Sequence, residues 1–99
     1  MDTKQDIINF LQFNKEYIMS HYNLNKIAVF GSFARDEQTK NSDVDILIEL
    51  NDNVNNIYEL KNELRDYLSS SFGRSVDLAR EKYLKSYAKK FILKDAIYV

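Results

Sequence analysis

Two aspartates, Asp43 and Asp45, stand one residue apart in "SDVDILIEL", a segment whose apolar residues alternate as in a half-buried strand. Side chains at i and i+2 of a strand share a face, so these carboxylates stand side by side. A third, Asp77, lies in "RSVDLA", where Val76 and Leu78 alternate with Ser75 and Asp77. If the two strands are neighbours, all three carboxylates converge. Three ionised carboxylates within ~4–6 Å repel by several kcal/mol at low effective dielectric, so such a cluster implies a bound cation or raised pKa values. Hard oxygen donors select Mg²⁺ or Mn²⁺ over zinc, and magnesium completes its shell with water and substrate phosphates. Taken singly, the same residues read as a turn residue, a solvated side chain and a strand-end charge, because acidic residues are mostly exposed. Their common face is what points to a site.

The Gly31-Ser32 pair offers a second half. "KIAVFGS" reads as a buried strand ending in a sharp turn, and "SFARDEQ" as a short helix after it. A strand that enters a helix through Gly-Ser places backbone N–H groups and a hydroxyl at a positive helix terminus, an arrangement that suits an anion. Glycine lets the backbone approach a phosphate closely. Arg35, assigned to the first turn of that helix, is electrostatically out of place there, and an anionic ligand resolves the conflict. A Gly-Ser turn alone is no more than a tight turn. Beside a carboxylate cluster it becomes a phosphate seat facing a metal seat.

Other elements must position these residues. From Thr3 to about His21, Ile7, Ile8, Leu11 and Ile18 recur at helical spacing, with Asp2 or Thr3 as N-cap, which predicts one long helix. "NDNVNN" breaks the chain, and Ile57, Leu60, Leu64, Tyr67 and Leu68 mark a helix ended by Gly73 at C′. From Glu81 onward Leu84, Ala88 and Ile92, and also Tyr83, Tyr87 and Phe91, follow spacings of four, which predicts a last helix with the aromatic stripe in the core. "AIYV" adds a terminal strand or docks. The order α-β-α-β-α-β-α predicts a small α/β or α+β domain, a mixed sheet flanked by helices, spanning residues 1–99 as a single unit.

Composition narrows the function classes. The 99 residues are 44% hydrophobic and include seven Tyr and six Phe, too many for a disordered chain. A formal charge of −1 argues against direct nucleic-acid binding, which needs clustered cations. The basic series Arg80, Lys82, Lys85, Lys89, Lys90 and Lys94 reads as a solvated helix face. The absence of cysteine excludes disulfides, thiolate zinc sites and thiol nucleophiles. No stretch reads as a signal peptide or a membrane span, so a soluble cytoplasmic protein is expected. His21, the single histidine, has no partner in the local sequence and reads as helix-end surface.

Gly31-Ser32-Phe33-Ala34-Arg35, six further residues, then Ser42-Asp43-Val44-Asp45 resembles the signature of the DNA polymerase beta-like nucleotidyltransferase superfamily: Gly-Ser-x-Ala-Arg-Gly, five free positions, Ser-Asp-x-Asp. Val76-Asp77-Leu78 looks like its third-carboxylate strand, and the resemblance covers essentially the whole chain. The size is similar to that of the minimal nucleotidyltransferases, whose members commonly serve as antitoxins beside HEPN-domain ribonuclease toxins. The resemblance implies transfer of AMP from ATP to a tyrosine of such a toxin. It implies two Mg²⁺ ions held by Asp43, Asp45 and Asp77, with Asp77 also able to accept the hydroxyl proton. Gly31, Ser32 and Arg35 would hold the phosphates, with Ser42 orienting the Asp43 region. One position departs from the pattern: Asp36 stands where the family has glycine. Two other readings stay open, a non-catalytic antitoxin acting by occlusion and a subunit that modifies a small molecule captured by a separate chain.

Overall fold

The computed structural model describes residues 1–99 around one four-stranded sheet. In chain order the elements are α1 (Lys4–Phe13), α2 (Lys15–His21), β1 (Leu24–Phe30), α3 (Gly31–Ala34), β2 (Val44–Leu50), α4 (Ile57–Phe72), β3 (Val76–Arg80), a 3₁₀ turn (Glu81–Tyr83), α5 (Ser86–Asp95) and β4 (Ile97–Tyr98). The strands run in the order β3-β2-β1-β4. β1 pairs antiparallel with both β2 and β4, whereas β2 and β3 are parallel. The expected mixed sheet flanked by helices is therefore present, and the terminal "AIYV" supplies its edge strand. No helix is long and apolar enough to cross a membrane.

Side-chain alternation divides the sheet into two faces with different duties. Ile27, Val29, Val44, Ile46, Ile48 and Val76 turn to one side and join Ile7, Leu11 and Ile18 of α1 and α2 and Leu60, Leu64, Leu68 and Phe72 of α4 in one core cluster. Each fully buried Leu, Ile or Phe contributes ~1.5–3 kcal/mol, so this layer dominates folding. The intervening residues Asp45, Leu47 and Glu49 face the other way. Leu47 and Ala28 lie outside that cluster yet are fully buried, because the 3₁₀ turn packs on β2 and α5 packs on β1. The second layer covers the middle of this face and leaves the Asp45 end partly open.

Three expectations need correction. The single N-terminal helix is two helices, broken at Asn14 (φ −101°, ψ 12°), whose side-chain Nδ2 donates to the Phe10 carbonyl at 2.9 Å. The backbone N–H of Asn14 donates to the same carbonyl at 3.0 Å, so the first helix closes normally and the break lies in the non-helical dihedrals of Asn14, a residue type that favours helix ends. The last helix does not start at Glu81: Leu84 and Lys85 are extended, and α5 starts at Ser86. The aromatic stripe is not core. Tyr83, Tyr87 and Phe91 are 67%, 71% and 73% exposed, while Leu84, Ala88 and Ile92 are half-buried. Both rows have a spacing of four, and the smaller aliphatic row is the one the sheet face accommodates.

Candidate active site

β2 delivers its carboxylate through the pairing of the sheet. Asp45 is opposite Asp77 in the parallel β2–β3 ladder and opposite Phe30 in the antiparallel β1–β2 ladder. The residue after Phe30 is Gly31, so Asp45 lies beside the turn that joins β1 to α3. Asp43 sits in the turn just before β2 and is exposed, as is Asp77, whereas Asp45 is half-buried. Burial, reinforced by the like charges of Asp77 and Asp43, pushes the Asp45 carboxyl above the usual aspartate range, against a smaller downward pull from Arg35. Asp45 thus feels the charge of both neighbours, and strand parity accounts for its pairing with Asp77. The three carboxylates are not gathered into a coordination cluster: no three carboxylate or histidine side chains close around a common point. Like charges hold apart until something positive lies between them. The donor set is all carboxylate oxygen on a shared face, which suits a hard divalent cation.

Gly31 is required for two reasons. Its φ of 73° lies in the left-handed region, which L side chains seldom adopt. A Cβ built there would also overlap Oδ2 of Asp45 and stand 2.9 Å from its Cγ. The space a side chain would occupy is filled by the carboxylate itself, a neighbour not foreseen for this glycine. Ser32 follows in the first turn of α3, half-buried.

Arg35 is not in the first turn of that helix. α3 is four residues long and Arg35 is its C-cap, so the supposed conflict with the helix dipole does not exist. Its Nε donates to Glu37 Oε1 at 2.7 Å and its Nη1 is 3.8 Å from Asp95 Oδ2. To reach an anion at Ser32 the half-exposed guanidinium must exchange the Glu37 contact for the new one. Asp36 takes φ 57°, and the amides of Asp36 and Glu37 donate to Phe33 O and Ser32 O at 3.3 and 2.9 Å. These are the paired bonds of a Schellman C-cap with its left-handed residue at C′. The family glycine is thereby explained, and Asp36 fills the same backbone role. Its carboxylate pairs with Lys4 Nζ at 2.9 Å, so the extra negative charge is compensated.

Ser42 closes the turn ahead of Asp43: its Oγ accepts from Thr39 N at 2.8 Å and lies 3.3 Å from Thr39 Oγ1. That is a structural duty within the turn. His21 is exposed, stacked on Tyr17 with ring centroids 5.0 Å apart. Arg74, which no sequence pattern singles out, bonds the turn at residues 39–42. Nothing in its spacing distinguishes it from a solvated arginine after a helix C-cap.

Compared with known proteins, residues 7–99 match the nucleotidyltransferase domain family. The chain belongs to that family. A relative from Methanocaldococcus jannaschii, provisionally named a protein adenylyltransferase, is 42% identical over 100 residues, covering 100% of both chains. The protein adenylyltransferase MntA of Thermococcus cleftensis is 33% identical over 99 residues, covering 100% of this chain and 98% of its own. Among solved structures, the complex of a tri-AMPylated Shewanella oneidensis HEPN toxin with its MNT antitoxin superposes with a TM-score of 0.63 at 20% identity, covering 97% of this chain and 71% of that chain. As a nucleotidyltransferase, the chain is of a size with its protein-adenylyltransferase relatives, and its fold is that of an MNT antitoxin.

Proposed function

We propose that this nucleotidyltransferase is an antitoxin that transfers AMP from ATP to a tyrosine hydroxyl of a HEPN-domain toxin in the cytoplasm, inactivating it. The observation that carries the reading is the Asp45–Asp77 pairing beside Gly31, where a missing side chain admits the Asp45 carboxylate. Full-length similarity to protein adenylyltransferases supports the reaction class, and a fold shared with an antitoxin bound to an AMPylated HEPN toxin supports the partner.

Asp43, Asp45 and Asp77 would hold Mg²⁺, in all two ions, which supply charge neutralisation of the triphosphate and a lowered pKa for the acceptor hydroxyl. The chain's own groups do the rest. Ser32 Oγ and the first amides of α3, which lack intrahelical partners, bind phosphate oxygens. Arg35 swings from Glu37 to the departing pyrophosphate and offsets its charge. The attacking hydroxyl approaches from the open end of the sheet face, where exposed Asp77 takes its proton. Ser42 keeps the turn that presents Asp43.

The test mixes the protein with Mg²⁺, ATP and the product of the adjacent gene, then weighs both chains by mass spectrometry. The expected result is AMP-sized additions on the partner that vanish with Asp43→Ala or Asp45→Ala. A partner silenced equally by those variants, with no gain in mass, would leave occlusion as the function.

A further inference from the structure

We infer that Arg74 is the positioning residue of the carboxylate site, a guanidinium clamp that fixes the turn carrying Asp43 against the strand carrying Asp77; the inference rests on the reading of those aspartates as metal-holding. Arg74 Nη1 is shared among three carbonyl oxygens of that turn, Thr39 O at 2.9 Å, Lys40 O at 3.2 Å and Ser42 O at 3.0 Å. Its Nε donates to Met1 O at 3.0 Å and its Nη2 to Asp2 Oδ1 at 2.9 Å. Its guanidinium carbon lies 5.0 Å from the centre of the Phe33 ring. The side chain is only 10% exposed, although its partner Asp2 is 87% exposed, and hydrogen bonds donated by a guanidinium are charge-assisted and stronger than neutral ones.

The position in the chain gives these contacts their meaning. Arg74 lies between Gly73, the left-handed C-cap of α4, and β3, which begins two residues later and presents Asp77. Its own carbonyl accepts from Ser69 Oγ at 2.7 Å, which anchors it to α4. One residue therefore links all three segments of the site: its side chain reaches Phe33 of α3 and three carbonyls of the Asp43 turn, and its backbone leads within two residues into β3. The other side-chain bonds of the turn are internal to it, from Thr39 N to Ser42 Oγ and from Asn41 N to Thr39 Oγ1, and do not tie it to β3. Ser42 N donates to Thr39 O at 3.2 Å and Val44 N to Ser75 O at 2.9 Å, while Asp43 itself has no side-chain partner. The acceptors are main-chain carbonyls fanned around one planar group, a demand the flat guanidinium fork meets and a lysine ammonium does not.

Two readouts test this without using turnover. The first is amide hydrogen exchange in Arg74→Lys, which keeps the charge and removes the guanidinium fork. Faster exchange at Ser42 and Val44, with β1 and α4 amides unchanged, is expected; unchanged exchange in the turn, or a uniform rise across the protein, overturns the inference. The second is Mn²⁺ affinity, read from the free-ion electron paramagnetic resonance signal. Asp43→Ala is expected to lose the ion, Arg74→Lys and Arg74→Ala to bind it about 10-fold more weakly, as for other groups that orient metal ligands, and added guanidinium to restore part of the affinity of Arg74→Ala. Wild-type affinity in both Arg74 variants, where Asp43→Ala has none, refutes the clamp and leaves the metal reading intact. Unaltered binding in Asp43→Ala refutes the metal reading, while the exchange experiment still decides whether Arg74 fixes the turn.

Discussion

Gly31 carries two constraints that no other residue type satisfies together, a left-handed φ and a place already filled by a carboxylate. Replacing it with alanine costs ~1–2 kcal/mol for the backbone alone and forces Asp45 out of line with Asp77. Gly31→Ala is therefore expected to fold with a lowered Tm and to lose AMP transfer by about 100-fold or more, as misplacement of a reacting group by an ångström does; rates should be compared per folded molecule. Asp45 itself sets a pH dependence. Its carboxyl is raised above the ordinary 3.8 by burial and by Asp77 and Asp43. A raised carboxylate stabilises the fold fully below the unfolded value and loses that contribution as pH rises through the folded value. In the metal-free protein Asp45 should accordingly subtract stability as pH rises above its ordinary value of 3.8, against the opposite contribution of Asp2 and Glu81, whose carboxyls are held low by hydrogen bonds from Arg74 and from Tyr98 and Lys26. Asp45→Asn should flatten that part of the profile and raise the neutral-pH Tm, even though it abolishes transfer. Asp36→Gly should retain near wild-type activity, since glycine meets the same φ of 57° and the Lys4 contact it removes is exposed.

At the scale of elements, α4 tests the capping argument most cleanly. Gly73 has φ 69° and nothing within 4 Å of a built Cβ, so Gly73→Ala should cost ~1–2 kcal/mol, a fall of roughly 5–15 °C in Tm for a chain of this size. A calorimetric scan checks it. Strand parity made the shared face of Asp45 and Asp77 legible in the sequence, because a period of two fixes which side chains share a face, whereas Asp43 lies in the turn before β2 and outside the reach of that parity. Glycine and serine at the end of an apolar run marked the β1–α3 turn in the same local way. What could not be read was tertiary in origin. A spacing of four places Tyr83, Tyr87 and Phe91 together without saying which row of the helix meets the sheet, and the aromatic row is the one that faces solvent. Asn14 divides the N-terminal helix through its own departure from helical dihedrals, which its helix-tolerated neighbours conceal. Arg35 was misplaced because a four-residue helix ends before periodicity can register it. Arg74 gathers carbonyls from residues 32 to 35 positions away, a separation no local pattern encodes.

Across the whole molecule, the two ends of β2 do different work. Asp45 stands at one end. Near the other, Glu49 accepts from Arg80 Nη2 at 2.8 Å and from Lys82 N at 2.9 Å, with both side chains of the ion pair largely buried. Glu49→Ala leaves that guanidinium without its partner and should destabilise the protein by ~2–3 kcal/mol, measured by denaturant unfolding, with AMP transfer per folded molecule unchanged. The parallel pairing of β2 and β3 has a kinetic consequence. Asp45 and Asp77 are brought into register only after the whole of α4 has crossed over the sheet. Such non-local closure comes late in folding, because its loop entropy is spent before the contacts return anything. A group that binds across these two strands therefore meets no binding surface in the early ensemble. It should slow unfolding while leaving the folding rate almost untouched, so a chevron recorded with and without Mn²⁺ should shift in its unfolding limb alone.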